Sequence, residues 1–177
     1  LRESEDHYRL AIEVTQLATW DLNLQTFELT HSPRLAEILG YDSAKTLTHQ
    51  MMHDHIHPED LYPVVERAFD TALQTAVYNY DSRIIWPDKT LHWIRTQGKV
   101  LYDEKNIPSR MLGIMTDITE LKNAEQALRE SEKRFRTVAD TAPVMIWMAD
   151  RERNCIFLNK CWSEFTGIPI NEGLRGG

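Results

Sequence analysis

Four histidines crowd one short stretch of the chain: His49, His53, His55 and His57. Two imidazoles four residues apart on a helix can face one metal ion, and His49 and His53 have that spacing. His53, His55 and His57 alternate instead, which suits no common helix face, and no Cys or second ligand group lies near them in sequence. The stretch is therefore expected to be a loop of solvated histidines that holds no metal. A protonation switch is the other reading, because imidazole titrates near neutral pH. Arg83 has the donors to grip a ligand carboxylate through two parallel hydrogen bonds, or it pairs with Asp81 or Glu66. No catalytic residue is assigned and the chain is not expected to be an enzyme. It lacks the nucleophile-elbow, phosphate-loop, zincin and kinase signatures. Its adjacent acids Glu59 and Asp60 fall at a helix start, where they complement the dipole.

Composition narrows the classes further. Apolar residues make up 42% and charged residues 27%, values of an ordinary globular chain. The net charge of −7 disfavours a nucleic-acid partner, which needs a basic surface. No apolar run approaches the roughly 18 residues that span a membrane. The only cysteines, Cys155 and Cys161, lack a CxxC spacing. They fit a reducing, cytoplasmic setting better than a disulfide scaffold.

The elements that must position these residues follow from period and punctuation. Residues 1–17 repeat apolar positions at helical spacing, and Glu5 stands four before Arg9. Trp20, Leu22 and Leu24 then alternate with polar residues, as do Phe27 and Leu29, so a hairpin is expected with its turn near Gln25-Thr26. Pro33 opens a short helix that Gly40 closes. Residues 58–75, with one wide apolar face, form the long helix. Strands follow at Val77–Trp86, Leu91–Tyr102 and Arg110–Thr116, joined by short polar turns and hence antiparallel. Apolar residues on both faces, such as Trp93 beside Ile94, predict a sheet covered on both sides, the second cover being the N-terminal helix or a partner chain.

From Asp117 the chain is helical again, with Asp117 or Thr119 as cap. Leu121, Ala124, Leu128, Ser131, Phe135, Val138 and Ala142 recur at alternating steps of three and four. Leu121, Leu128 and Phe135 would form the seam of a homodimer; the alternative is a helix packed on its own domain. The sequence also repeats itself. Leu1-Arg2-Glu3-Ser4-Glu5 recurs unchanged at Leu128-Arg129-Glu130-Ser131-Glu132, and at the same offset Trp20 matches Trp147, Glu37 matches Glu164 and Gly40 matches Gly167. A period this long is a duplicated domain. The expected organisation is a domain over 1–119, a helical connector over 120–142 and the start of a second, incomplete domain over 143–177. That last stretch carries too little apolar surface to fold alone and should lean on the first copy, the connector or another chain.

Specific motifs stand on this frame. Ile56-His57-Pro58-Glu59-Asp60, then Arg83 with Trp86-Pro87-Asp88, Trp93-Ile94-Arg95 and Gly113-Ile114-Met115-Thr116-Asp117-Ile118-Thr119-Glu120 together resemble the PAS family of sensory domains with a C-terminal PAC segment. In the second copy, Ala142-Pro143 with Trp147, Phe157-Leu158-Asn159-Lys160 and Glu164-Phe165-Thr166-Gly167 resemble a PAS opening. One departure is Asp88-Lys89, where the family usually has Asp-Gly; Asp can serve such a turn without Gly.

The resemblance implies an α+β fold, a five-stranded antiparallel sheet with helices on one face, flanked here by N- and C-terminal amphipathic helices. It implies a sensory, signal-transducing module of a multidomain protein of the sensor histidine kinase or diguanylate cyclase type. Adjacent PAS and output domains would be its partners, and Asp117, Ile118 and Thr119 would relay the signal into the connector. A pocket between sheet and helices would draw on Trp20, Met52, Ile56, Leu61, Val65, Phe69, Tyr80 and Ile84, unless these are simply core. No cofactor is expected, although an unidentified small ligand would fit such a fold. The helix Pro58–Thr75 lacks the histidine a haem-binding relative would carry. Asn154-Cys155-Ile156-Phe157-Leu158 resembles the flavin-sensor signature Asn-Cys-Arg-Phe-Leu, but it falls on a strand and lacks the Arg. The alternatives are a passive dimerisation spacer with a sealed core, and a cofactor-binding redox or light sensor.

Overall fold

The computed structural model describes residues 17–174. The helix expected over 1–17 lies outside the described residues. The chain divides after Lys122 into two compact units. The first holds β1 (Ala18–Asn23), β2 (Leu29–His31), α1 (Pro33–Ile38), α2 (His49–His55), α3 (Pro58–Asp60), a π-helical stretch (Leu61–Glu66), α4 (Arg67–Thr75), β3 (Val77–Ile85), β4 (Leu91–Tyr102) and β5 (Pro108–Asp117). A long helix, α5 (Thr119–Thr141), begins in this unit. The strands form one antiparallel sheet in the order β2-β1-β5-β4-β3, the five-stranded α+β architecture implied by the resemblance.

Strand alternation sorts the side chains. Ala18, Trp20 and Leu22 of β1, Tyr78, Ser82 and Ile84 of β3, Ile94, Thr96 and Val100 of β4 and Met111 and Met115 of β5 are buried. With Leu35, Leu39, Val65 and Ala72 from the helical side they make one core. One row across this inner face has no side chains at its centre. Trp20 lies opposite Gly113, Gly113 opposite Gly98, and Gly98 opposite Tyr78. The Trp20 indole lies over both glycines and meets the Tyr78 ring edge-on at 5.9 Å. A Cβ at Gly113 would stand 2.1 Å from the Gln97 carbonyl oxygen and 2.7 Å from the indole. These glycines are required for closeness of approach, not for their backbone angles.

The long helix contains Pro63, whose missing N–H and bulky ring break a regular α-helix. The wider turns of Leu61–Glu66 take it up, so the helix continues to Thr75 as expected and ends on Ala76 in the left-handed conformation. At the turn before β4, Lys89 has φ of 72°, the conformation that glycine adopts without cost.

Arg83, on the outer face of β3, is committed to the helix start. Its guanidinium donates to Asp60 (2.6 and 3.0 Å) and Glu59 (3.0 Å), and its backbone N–H donates to Asp60 at 2.7 Å. Asp81 is held by Arg95 and Lys122 instead, so neither of the partners proposed from sequence, Asp81 nor Glu66, is the one Arg83 takes. Pairing with Asp60 leaves no side-chain fork for a ligand carboxylate.

In the second unit, β6 (Trp147–Ala149) pairs with β7 (Cys155–Leu158), and α6 (Lys160–Thr166) and α7 (Ile170–Gly173) follow. These residues lean on the end of α5, as their small apolar content requires. Buried Asn159 donates to the Ala139 and Val144 carbonyls and accepts from the Ile146 and Trp162 N–H groups. Phe157 packs on Phe135 at 5.0 Å between ring centres.

Two outcomes follow. Gly113→Ala should lower stability by about 3 kcal/mol or more in denaturant melts, since the added methyl meets backbone and cannot be relieved by a rotamer change. The second concerns pH. Hydrogen bonds from Arg83 hold the Asp60 carboxyl below its ordinary value, against the opposing effect of burial. A lowered folded value means that the pair's contribution is fully present above about pH 4 and fades as pH falls through the folded value. Arg83→Gln should therefore cost about 2 kcal/mol at pH 7, with the deficit shrinking in melts taken towards pH 2.

Candidate functional site

A cavity of about 330 Å³ lies between the sheet and the helical layer. Its floor is Trp20, Ile94, Thr96, Met111, Met115, Tyr78 and Tyr80, and its helical wall is Met52, Ile56, Val65 and Phe69. Of the pocket residues expected from sequence, Trp20, Met52, Ile56, Val65, Phe69 and Tyr80 are brought together here. Leu61 and Ile84 are not. Ile84 is fully buried where Ile56 bridges to it in backbone pairing, and Leu61, at the first π-helical turn, packs on the core instead. Tyr78, Thr96 and both methionines were missed. They sit on three strands, Tyr78 on β3, Thr96 on β4 and both methionines on β5, and only register, which is invisible in the linear pattern, brings them to one floor.

The deep end of the cavity is polar but uncharged. The phenol of Tyr80 lies between the phenol of Tyr78 and the hydroxyl of Thr96, and burial is the main cause that raises both tyrosines above their ordinary values. Both therefore remain protonated donors near neutral pH. The Trp20 indole N–H and the Thr96 hydroxyl are buried and lack a well-aligned protein partner. Most buried polar groups are paired, and an orphan costs about 1–3 kcal/mol.

The mouth carries the charge. His49, His53, Glu66, Asp70 and Phe27 line it. Phe27 has φ of 57° and its ring tilts onto His49 at 5.4 Å; His49 in turn meets His53 at 6.1 Å. Burial, and secondarily His53, pushes the His49 imidazole below its ordinary value. The histidine stretch is thus a helix with structural contacts and not a solvated loop. Thr48 caps that helix by accepting from the Met51 N–H. His55 bridges the Tyr41 hydroxyl (2.8 Å) and the Ile85 carbonyl (2.5 Å), and the His57 side chain accepts from the Glu59 N–H. Among the described residues, no group of three or more His, Cys, Asp or Glu side chains is arranged to hold a metal.

The relay residues meet β4 directly. The Trp93 carbonyl accepts from the Ile118 N–H at 2.9 Å, and the Trp93 N–H donates to the Thr119 hydroxyl at 2.9 Å. Asp117 caps α5 by accepting from the Thr119 N–H at 2.8 Å. The Trp93 ring, expected under the N-terminal helix, faces the Arg83 guanidinium at 6.0 Å and the Lys122 ammonium at 5.5 Å. Of the expected seam residues, Leu121 and Leu128 are 47% and 63% exposed. Phe135 is 44% exposed and also packs on Phe157 inside the second unit.

Similar proteins agree with this architecture. A family model described as "PAS fold" matches residues 28–115, and one described as "PAS domain" matches residues 133–177. The sensor protein FixL of Bradyrhizobium diazoefficiens is 27% identical over 78% of this chain, which spans 27% of that protein's length. A crystal structure of a sensory box histidine kinase/response regulator from Burkholderia thailandensis is 28% identical, with a TM-score of 0.64 over 73% of this chain and 98% of that one. The N-terminal domain of a diguanylate cyclase with a PAS/PAC sensor from Marinobacter aquaeolei is 23% identical and shares the fold, with a TM-score of 0.55 over 60% of this chain and 98% of that one. No helix among the described residues is long and apolar enough to cross a membrane. A five-stranded sheet of this order, a cavity against its inner face, and two matching family models at successive positions place the chain in the PAS family of sensory, signal-transducing domains.

Proposed function

We propose that the first unit senses a small ligand in the cavity and passes the bound state into α5, as the regulatory, non-catalytic region of a sensor histidine kinase or diguanylate cyclase. The observation that carries this reading is the double use of β4. Ile94 and Thr96 face the cavity, while their neighbour Trp93 makes both backbone contacts to the start of α5. A ligand that favours one placement of β4 must also favour one placement of Ile118 and Thr119, which is the differential interaction that a two-state relay requires. The cavity disfavours the sealed-core spacer. The exposed Leu121 and Leu128 support pairing of α5 with a second copy of the chain, as an output that needs two catalytic domains side by side would use.

Two experiments test this. Met52→Trp fills the cavity from the helical wall. Hydrogen exchange of the full chain should then change several-fold at Ile118 and Thr119 relative to Val100, and Asp117→Ala should abolish that response. An unchanged junction would make the unit a spacer. For the output, Leu121→Asp with Leu128→Asp places charge on the seam. Light scattering should show a dimer becoming a monomer, whereas an unaltered mass would remove α5 pairing from the mechanism.

A further inference from the structure

The chemistry of the cavity narrows what it can hold. Its deepest polar groups are an indole N–H, which only donates, and hydroxyls, which both donate and accept. The Trp20 indole N–H can only donate, is 5% exposed and has no partner. The Thr96 hydroxyl, 1% exposed, also lacks an aligned partner, and the Tyr78 and Tyr80 phenols stand beside it. A ligand that satisfies the indole N–H must bring an acceptor, which the Thr96 hydroxyl can also reach as a donor. The remaining floor and wall are aliphatic, thioether and aromatic.

Charge excludes one form of acceptor. Among the described residues that line the cavity there is no Lys or Arg, and Arg83 is spent on Asp60 and Glu59 outside it. The carboxylates that do line it are Glu66 and Asp70. A ligand carboxylate would enter past two negative groups and reach an interior with no counter-charge, where an unpaired ion is costly. The volume lies at the low end of the range for ligand pockets, about 300–1,000 Å³, which favours a compact molecule.

Resting on the sensory reading above, we infer that the cavity binds a compact, neutral, mainly apolar ligand whose carbonyl-type oxygen accepts from the Trp20 indole N–H and the Thr96 hydroxyl. The apolar body lies against Met111, Met115, Val65 and Phe69, and the acceptor end defines its orientation.

Three matched probes test this on the full chain: 2-acetylnaphthalene, 2-ethylnaphthalene and 2-naphthoate. Affinities come from calorimetry and the five indole N–H signals from nitrogen-15 spectra, with Trp20 assigned by its loss in Trp20→Phe. The ketone should bind about fivefold or more tightly than the hydrocarbon, as one or two buried hydrogen bonds allow. It should move the Trp20 signal downfield while leaving those of Trp147 and Trp162 in place. Thr96→Val should reduce ketone affinity about fivefold and leave that of the hydrocarbon unchanged; it carries the test if Trp20→Phe does not fold. Equal binding of ketone and hydrocarbon with a stationary Trp20 signal, or tightest binding of the naphthoate, overturns the inferred chemistry but keeps the cavity as a binding site. Binding of none of the three overturns the sensory reading as well.

Discussion

The contact on which the rest of the first unit depends is that of one indole with two glycines. β5 is the central strand and β4 its neighbour, and at Gly113 and Gly98 they are paired with no side chain on either. Trp20 enters from β1 and Tyr78 from β3 to span the gap from both ends. Any side chain at Gly113 would displace the ring and with it the register of the three central strands. The cavity lies against the inner face of the same sheet. Its unpaired Trp20 N–H and Thr96 hydroxyl are a local departure from the satisfied interior that stability favours, and such departures cluster where function demands them.

The sheet's edges and centre are held differently, and this directs motion. The β3 edge is pinned by Arg83 to Asp60, and the end of α1 is pinned through Trp86, which donates to the Ile38 carbonyl at 2.9 Å and stacks on His92 at 3.7 Å. Gly40, with φ of 80°, lies under the Trp86 ring, where a Cβ would stand 2.7 Å away. β4 meets the cavity on one face and the junction through its backbone. The ion pairs of Asp81 with Arg95 and Lys122 add a side-chain tie on the outer face between β3, β4 and the first turn of α5. With the β3 edge fixed, displacement of Ile94 or Thr96 has a direct hydrogen-bonded path into α5 through Trp93.

What could be read from the residues differs by physical scale. Strand spans and their order were legible because alternation is local, and the last three strands are bounded by turns that announce themselves. The cap Asp117 was legible for the same reason. The cavity floor was legible only in part. Trp20 and Tyr80 look like any core aromatic, and nothing in the linear pattern shows that the Trp20 indole lies over Gly98 and Gly113. Ile84 and Leu61 have the same apolar character as the true lining, and only the Ile56 bridge and the π-helical turn move them out of it. The histidines misled because alternation by two was taken for loop, whereas His49 and His53 share a helix face, His55 ends that helix and His57 caps the next one. Arg83 was linked to the wrong acids because its partner lies 23 residues away in sequence, across a helix.

The internal repeat shows how one local device was kept and extended. In the first unit, Ser32 joins β2 to α1: its N–H donates to the Thr19 carbonyl, and its hydroxyl accepts from the Thr19 N–H at 3.0 Å. In the second unit the residue at the same offset is Asn159, and it makes both bonds again, to the carbonyl and the N–H of Ile146. Gly40 and Gly167, equally matched, both have positive φ. The larger side chain does more. Ser32 makes no side-chain cap, its oxygen being taken by Thr19, whereas the Asn159 oxygen serves Ile146 and the cap of α6 together. Its amide, a group that serine lacks, donates to Ala139 near the end of α5. An amide with all of its hydrogen bonds made in a buried site is costly to disturb. The hinge of the second copy is therefore bonded to the helix that precedes it, and a change in the last turns of α5 cannot occur without altering the strand–helix corner at Asn159.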